Sequence, residues 1–240
     1  MLFQVDNTIL LYNLKSNHQF PSTQIKLKSS IVAADINENY LLIGLESSQL
    51  AVIETKNLLS KNPEFIYDKS GLYTPVTSVS IKKTNDKKDT QFVISSCDGR
   101  ISFVKPSTIK YYGTNMIKLL HQTTIRAAKL DTTNDSGIDK LCHITNVQCL
   151  NSNVSDLKDL FITSAANGEL KIWHLSNLVP TLTIMKPGKE ITAARVNDDC
   201  SMIAFATGYS WSQGIWGLKN LNYSPEVFVR IIEQCDLTAK

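Results

Sequence analysis

The residues of this chain that could ligate a metal or attack a substrate are few and scattered. The histidines are His18, His121, His143 and His174, and the five cysteines are irregularly spaced. Zinc needs about four Cys, His or carboxylate ligands that the fold can gather, usually in two close pairs. No Cys–His or His–His pair here has a second pair to complete a set. Cys142 and Cys149 fall within one expected strand at an odd separation, which turns them to opposite faces and against a shared metal. G-x-S-x-G, H-E-x-x-H, P-loop and G-x-G-x-x-G patterns are all missing. Asp98 is a carboxylate that could move protons, but Asp98-Gly99 reads first as a turn, and Arg100 after it as an exposed residue opening a strand. The expectation is a non-enzymatic chain that uses neither cofactor nor metal.

The elements that position these residues repeat. FITSAANGELKIW (161–173) is a hairpin signal: an apolar strand, an Asn167-Gly168 turn and a return strand. LLIGLESSQLAVI from Leu41 and FVISSCDGRISFV from Phe92 repeat it, with turns at Ser47-Ser48 and Asp98-Gly99. MIAFA, from Met202, is a fourth copy of the first strand, without a short hairpin after it. A shorter pattern precedes each copy, starting at Ile31, Val76, Ile144 and Ile191. Successive starts are 45, 68 and 47 residues apart. Two of these periods lie near the roughly 40–45 residues of a WD-repeat blade, and the third is a blade with an insertion. TQIKL (23–27), EFIYD (64–68) and TLTIM (181–185) supply a weaker fourth strand. Trp173-His174 stands where such repeats carry Trp-Asp.

The fold expected is therefore an all-β, WD40-type β-propeller of about four and a half four-stranded blades, preferred over a β-sandwich with coincidental spacing. Residues 1–240 form one domain: 1–29 the end of a truncated blade, then blades at 30–74, 75–142, 143–189 and 190–240. Seven blades need roughly 280–315 residues, so the chain reads as part of a seven-bladed propeller rather than a small closed ring. Within the 105–140 insertion, Met116–Leu120 reads as one outer strand, and the polar tract between Asp131 and Asp139 as a mobile loop.

Composition sets wide bounds. A 42% hydrophobic and 20% charged chain is that of a globular protein, and a net charge of +3 is too small to argue for nucleic acid. Lys82-Lys83 and Lys87-Lys88 read as a solvated loop tip. Asp6 interrupts the apolar N-terminal stretch, which has no basic leader and does not read as a signal peptide. The Asn-x-Ser sequons at Asn134, Asn153 and Asn222 then carry no weight, and the odd number of cysteines fits a reducing compartment.

After MIAFATGY comes Ser210-Trp-Ser-Gln-Gly-Ile-Trp-Gly217, which is similar to the last blade of the nuclear-pore RNA-export propellers, a family whose sister is the mitotic-checkpoint propellers. Asn62-Pro63-Glu64-Phe65 and Ser70-Gly71-Leu72 resemble the export family's linker into its fifth blade. Ser95-Ser96-Cys97-Asp98-Gly99-Arg100 resembles the Gly-Arg turn of both families. The resemblance covers nearly the whole chain, matching the second half of blade three through blade seven. It implies docking: members bind a short acidic segment, called GLEBS, of an FG-nucleoporin or of checkpoint kinases, with indirect RNA association and no membrane insertion. Carried over, Arg100 would contact a glutamate of that segment. Two positions depart from the pattern. Thr77 stands at the family's second arginine, and His121-Gln122 where it has Cys-His-Arg. An arginine at position 77 would reinforce Arg100 if the two positions lay on neighbouring strands. The setting implied is the nucleus and nuclear pore, with cytoplasm as a second compartment; the checkpoint role and an enzyme on a propeller are the alternatives.

Overall fold

The computed structural model describes residues 2–3, 7–12, 23–60, 63–82, 84, 89–111, 114–128, 142–150, 159–185, 189–209, 224–233 and 236. The Trp211–Gly214 string, the 131–139 tract, and Lys83, Lys87 and Lys88 lie outside them.

The period-2 runs all become antiparallel strands. A first sheet holds β1 (Leu2–Phe3), β2 (Thr8–Leu11) and β3 (Thr23–Lys26). Three four-stranded sheets follow, each in simple chain order. They are β4 (Ile31–Ile36), β5 (Tyr40–Leu45), β6 (Gln49–Glu54) and β7 (Ile66–Lys69); β8 (Val76–Lys82), β9 (Gln91–Ser96), β10 (Arg100–Tyr111) and β11 (Thr114–Arg126); and β12 (Ile144–Cys149), β13 (Leu160–Ala165), β14 (Glu169–His174) and β15 (Pro180–Met185). The last sheet is β16 (Ile191–Val196), β17 (Met202–Thr207) and β18 (Glu226–Ile231). Consecutive antiparallel strands in face-packed sheets are the blades of a β-propeller.

Alternation decides how the sheets stack. On β5, Leu41, Ile43 and Leu45 pack back against Ile9, Leu11 and Ile25 of the first sheet. Tyr40 and Leu42 point forward, onto Val76, Val79, Ile81, Phe92 and Ile94 of the next blade. The same division recurs at the two later interfaces, with Phe103, Phe161 and Trp173 in one and Leu160, Ile162, Ile203 and Phe205 in the other. Register corrects one repeat match. Leu41, Phe92 and Phe161 pair with Ile36, Ile81 and Cys149, and the residue paired at the equivalent Val196 is Ile203, not Met202. A slip of one residue exchanges the faces, so Ile203 is buried and Met202 exposed.

The first strand of each of the last four sheets carries a bulge at its second residue: Val32, Thr77, Thr145 and Thr192. The bulge in β12 explains a second departure. Cys142 precedes the strand, and the extra residue cancels the face switch that an odd spacing implies, so Cys142 and Cys149 are buried in one cluster. Burial pushes the Cys142 thiol up to about 11 and that of Cys149 up to about 12, which keeps both protonated.

The insertion also differs from expectation. Met116–Leu120 is not a lone outer strand but part of β11, paired along its length with β10. β9 reaches β10 only from Ile101 to Val104, so the strands continue as a two-stranded arm from Lys105 to Leu120.

The inner strands are tied by one recurring hydrogen bond. The Ile81 N–H donates to Asp35 Oδ2 (2.7 Å), the Cys149 N–H to Ser80 Oγ (2.9 Å) and the Val196 N–H to Gln148 Oε1 (3.0 Å). Asp35, Ser80 and Gln148 hold equivalent register positions, as do their three donors. Gln148 Nε2 also donates to the Val196 carbonyl (3.2 Å). Gln148→Leu should leave two backbone groups unpaired between the blades and cost about 1–3 kcal/mol. The melting temperature should fall by roughly 2–4 °C per kcal/mol for a domain of this size. Gln148→Glu, which keeps the acceptor, should lose less; equal melting of both variants and wild type would remove the tie's energetic role.

Candidate functional site

The site is built at one end of the second complete blade, where the Cys97-Asp98-Gly99 turn joins β9 to β10. Gly99 has φ +80°, a left-handed conformation that glycine adopts without strain. A Cβ there would run into the carbonyl oxygens of Ala128 and Cys142. The Gly99 carbonyl accepts from the N–H groups of Ala127 (2.8 Å) and Ala128 (3.2 Å). The turn is thus clamped to the chain that leaves β11. Asp98 is buried, accepts from the Ser96 hydroxyl and faces Arg100 Nε at 3.4 Å. Ser96 Oγ also lies 3.2 Å from the Arg100 carbonyl, to which it can donate instead. Arg100 is therefore held at its base, while its side chain is 36% exposed.

Thr77 sits in the bulge at the start of β8, its hydroxyl 3.0 Å from that of Ser95. It belongs to the same blade and the same end as Arg100. The two are not on neighbouring strands, because β9 runs between them. An arginine at position 77 would therefore stand two strand spacings away, about 9–10 Å, and would not flank Arg100 directly. The neighbour that flanks Arg100 is Arg126, its cross-strand partner on β11. Pattern matching by sequence interval could not find Arg126, since the length of the arm separates it from Arg100. Counting the hairpin register outward from Tyr111↔Thr114 would put Ile125 opposite Arg100; a bulge at Gln122 shifts the register by one and brings Arg126 there.

A cleft of about 440 Å³ opens at the same end of the preceding blade, lined by Ser47, Ser48, Gln49, Lys69, Gly71, Leu72 and Tyr73. Tyr73 is 91% exposed. Gly71, at φ +78°, is in a conformation that strains any other residue, and a Cβ there would meet the His121 ring and the Ser102 hydroxyl. Ser102 is on the same face of β10 as Arg100, one residue pair further along. The cleft and the arginine row are therefore joined through Gly71.

With turn, row and cleft at one end of stacked four-stranded sheets, the architecture can be compared with known proteins. The chain is similar to the β-propeller domain of Cps50 (Swd1) from Myceliophteria thermophila at a TM-score of 0.59 and 12% identity, covering 85% of this chain and 56% of that one. It has a WD-repeat-type β-propeller fold. No family model matches the chain. In sequence it is 22% identical over 210 residues to Mitotic checkpoint protein bub-3 of Caenorhabditis elegans, covering 88% of this chain and 56% of that protein. The chain spans little more than half the length of each relative. Among the described residues, the propeller has no group of three or more His, Cys, Asp or Glu side chains that could hold a metal. Among the described residues no helix is long and apolar enough to cross a membrane.

Gly99→Ala should cost about 2 kcal/mol or more, since a left-handed non-glycine residue alone costs roughly 1–3 kcal/mol and the carbonyl clash adds to it. Circular-dichroism melting should show a fall of about 4–8 °C. An unchanged melt would mean that the turn is not clamped as described.

Proposed function

We propose that this propeller is a docking scaffold that binds an acidic, GLEBS-like segment of a partner protein across the turn end of its blades, with Arg100 meeting a glutamate of that segment. The observation that carries the reading is the state of Arg100: anchored on its Nε side by a buried carboxylate, yet open to solvent. A guanidinium held in this way can offer its planar fork to a carboxylate with little ordering left to do. Thr77 lies on the path such a segment takes from Arg100 toward the inner strands. The cleft beside Tyr73 would receive a side chain of the same segment. The role proposed is docking rather than catalysis: a guanidinium on a rigid turn and an open cleft are features that bind a segment of another chain.

Two cellular settings fit a GLEBS-binding scaffold. Likeness to the checkpoint protein favours a mitotic-checkpoint propeller that binds checkpoint kinases. The Trp211-Ser-Gln-Gly214 string favours an RNA-export propeller that docks on a nucleoporin at the nuclear pore. Imaging of the tagged protein separates them, since kinetochore accumulation in mitosis supports the first and a nuclear rim in interphase the second.

Calorimetric titration of a GLEBS peptide tests the docking itself. Arg100→Ala should weaken binding by about 2 kcal/mol or more if the contact is desolvated. It should also lower the melting temperature slightly, because Asp98 loses its cation. Arg100→Lys keeps a positive charge near Asp98 but lacks the fork. It should melt like wild type and still bind less tightly. Wild-type affinity in both variants would rule Arg100 out as the contact.

A further inference from the structure

We infer that β18 is a dimerisation edge, which pairs antiparallel with β18 of a second copy of this chain about a two-fold axis through Val229. The contact lies on the last sheet, not on the blade of Arg100, and is independent of the docking reading above.

The last sheet holds three strands where the three sheets before it hold four. In those sheets the third strands, β6, β10 and β14, are each covered by a fourth. Among the described residues no strand lies outside β18. Its backbone groups face outward at fixed places. Ile232 donates its N–H to the Ser201 carbonyl (2.8 Å), and backbone groups alternate sides along an antiparallel strand. Phe228 and Arg230 therefore turn theirs to β17, while the N–H and C=O groups of Val227, Val229 and Ile231 point to the open edge. The side chains of these three residues are bare as well, at 76%, 66% and 70% exposed. They share a face with Met202, which opposes Ile231 and is itself exposed.

The other outermost strands are guarded. β3 ends in Lys26, β7 ends in Asp68-Lys69, β11 carries Lys118 and β15 opens on Pro180. Lys26, Lys69, Lys118 and Pro180 are all exposed. Lysines and prolines of this kind keep an edge from pairing, whereas a bare apolar edge is a template for another chain. The charges of β18 lie on its other face and are engaged within the chain, Glu226 with Lys189 and Arg230 with Asp236 (2.9 Å). A two-fold axis through Val229 sets that residue against its own copy, and Val227 against Ile231 of the second copy. All three outward-facing residues then fall in hydrogen-bonded pairs, each pair exchanging two backbone bonds. A β-branched apolar side chain meets another in every pair, which suits cross-strand packing. The two three-stranded sheets join into one, and a two-fold contact closes at two copies.

Sedimentation equilibrium of the full chain tests this. Wild type should be a reversible dimer whose mass falls toward that of the monomer on dilution. Val229→Lys and Val229→Glu each set like charges against each other at the axis, and each variant alone should sediment as a monomer. Their circular-dichroism spectra should match wild type, because Val229 is exposed in the single chain. An equimolar mixture of the two variants should recover the dimer, since opposite charges then meet, and recovery shows that both fold. Hydrogen exchange on wild type needs no variant: the amides of Val227, Val229 and Ile231 should slow as the dimer forms. A wild type that stays monomeric, one that assembles beyond two copies, or variants that each dimerise like wild type would overturn the inference. Equal exchange at those amides in monomer and dimer, or a mixture of the variants that stays monomeric, would overturn the pairing about Val229.

Discussion

The structure depends on one repeated contact: a polar side chain near the end of each inner strand accepts the backbone N–H of the next blade's inner strand. Sheets packed only through apolar faces could slide or rotate, since the hydrophobic effect has no direction. The hydrogen bonds from Ile81 to Asp35, Cys149 to Ser80 and Val196 to Gln148 fix each blade's height and angle relative to its neighbour. They also answer an accounting demand. Inner strands have one edge with no strand beside it, and their backbone groups must still find partners where burial removes water. Other bonds share the load: Ser78 serves Val147, Asn146 serves the Ala194 carbonyl and Thr145 the Ile191 carbonyl. The acceptors differ chemically at equivalent positions. What is preserved is reach and the ability to accept, not residue identity.

That regularity decides where the repeats can be used for binding. With the inner strands locked at fixed height, the bulges, the second-to-third-strand turns and the ends of the fourth strands all emerge on one side. Side chains there no longer have to pack a core, and they vary freely between blades: Ser47-Ser48, Asp98-Gly99 and Asn167-Gly168 at the turns, then Gln49, Arg100 and Glu169 just after them. Arg100 gains a buried aspartate under it because Asp98 closes its own turn. The same residue that shapes the backbone thereby orients the guanidinium.

Much of this fold was readable from the chain because alternation and turn chemistry are local. The hairpins centred on Asp98-Gly99 and Asn167-Gly168, and the fourth strands at 23–27, 64–68 and 181–185, need only residues close in sequence. What escaped reading depends on register or on distant partners. The slip between Met202 and Ile203 is invisible to a hydrophobic pattern in which both residues are apolar, and only pairing with Val196 decides it. The bulges were hidden for the same reason, and they reversed the facing expected of Cys142 and Cys149. The arm was read as a strand and a loop because Pro106 and the polar residues around it weaken the strand signal of β10. The consequence for the site was larger: the partner expected for Arg100 at position 77 lies across β9, while the adjacent Arg126 belongs to the far strand of the arm.

The arm also bears on stability. A proline in the middle of a sheet would break a ladder, but Pro106 lies where β9 has already ended, with a strand on one side only. Proline and lysines along such an edge also discourage other strands from pairing with it. The same hairpin tolerates two opposed arginines at its base. The base of the arm is anchored on both sides, by the inner-strand hydrogen bonds of its blade and by the clamped Gly99 turn.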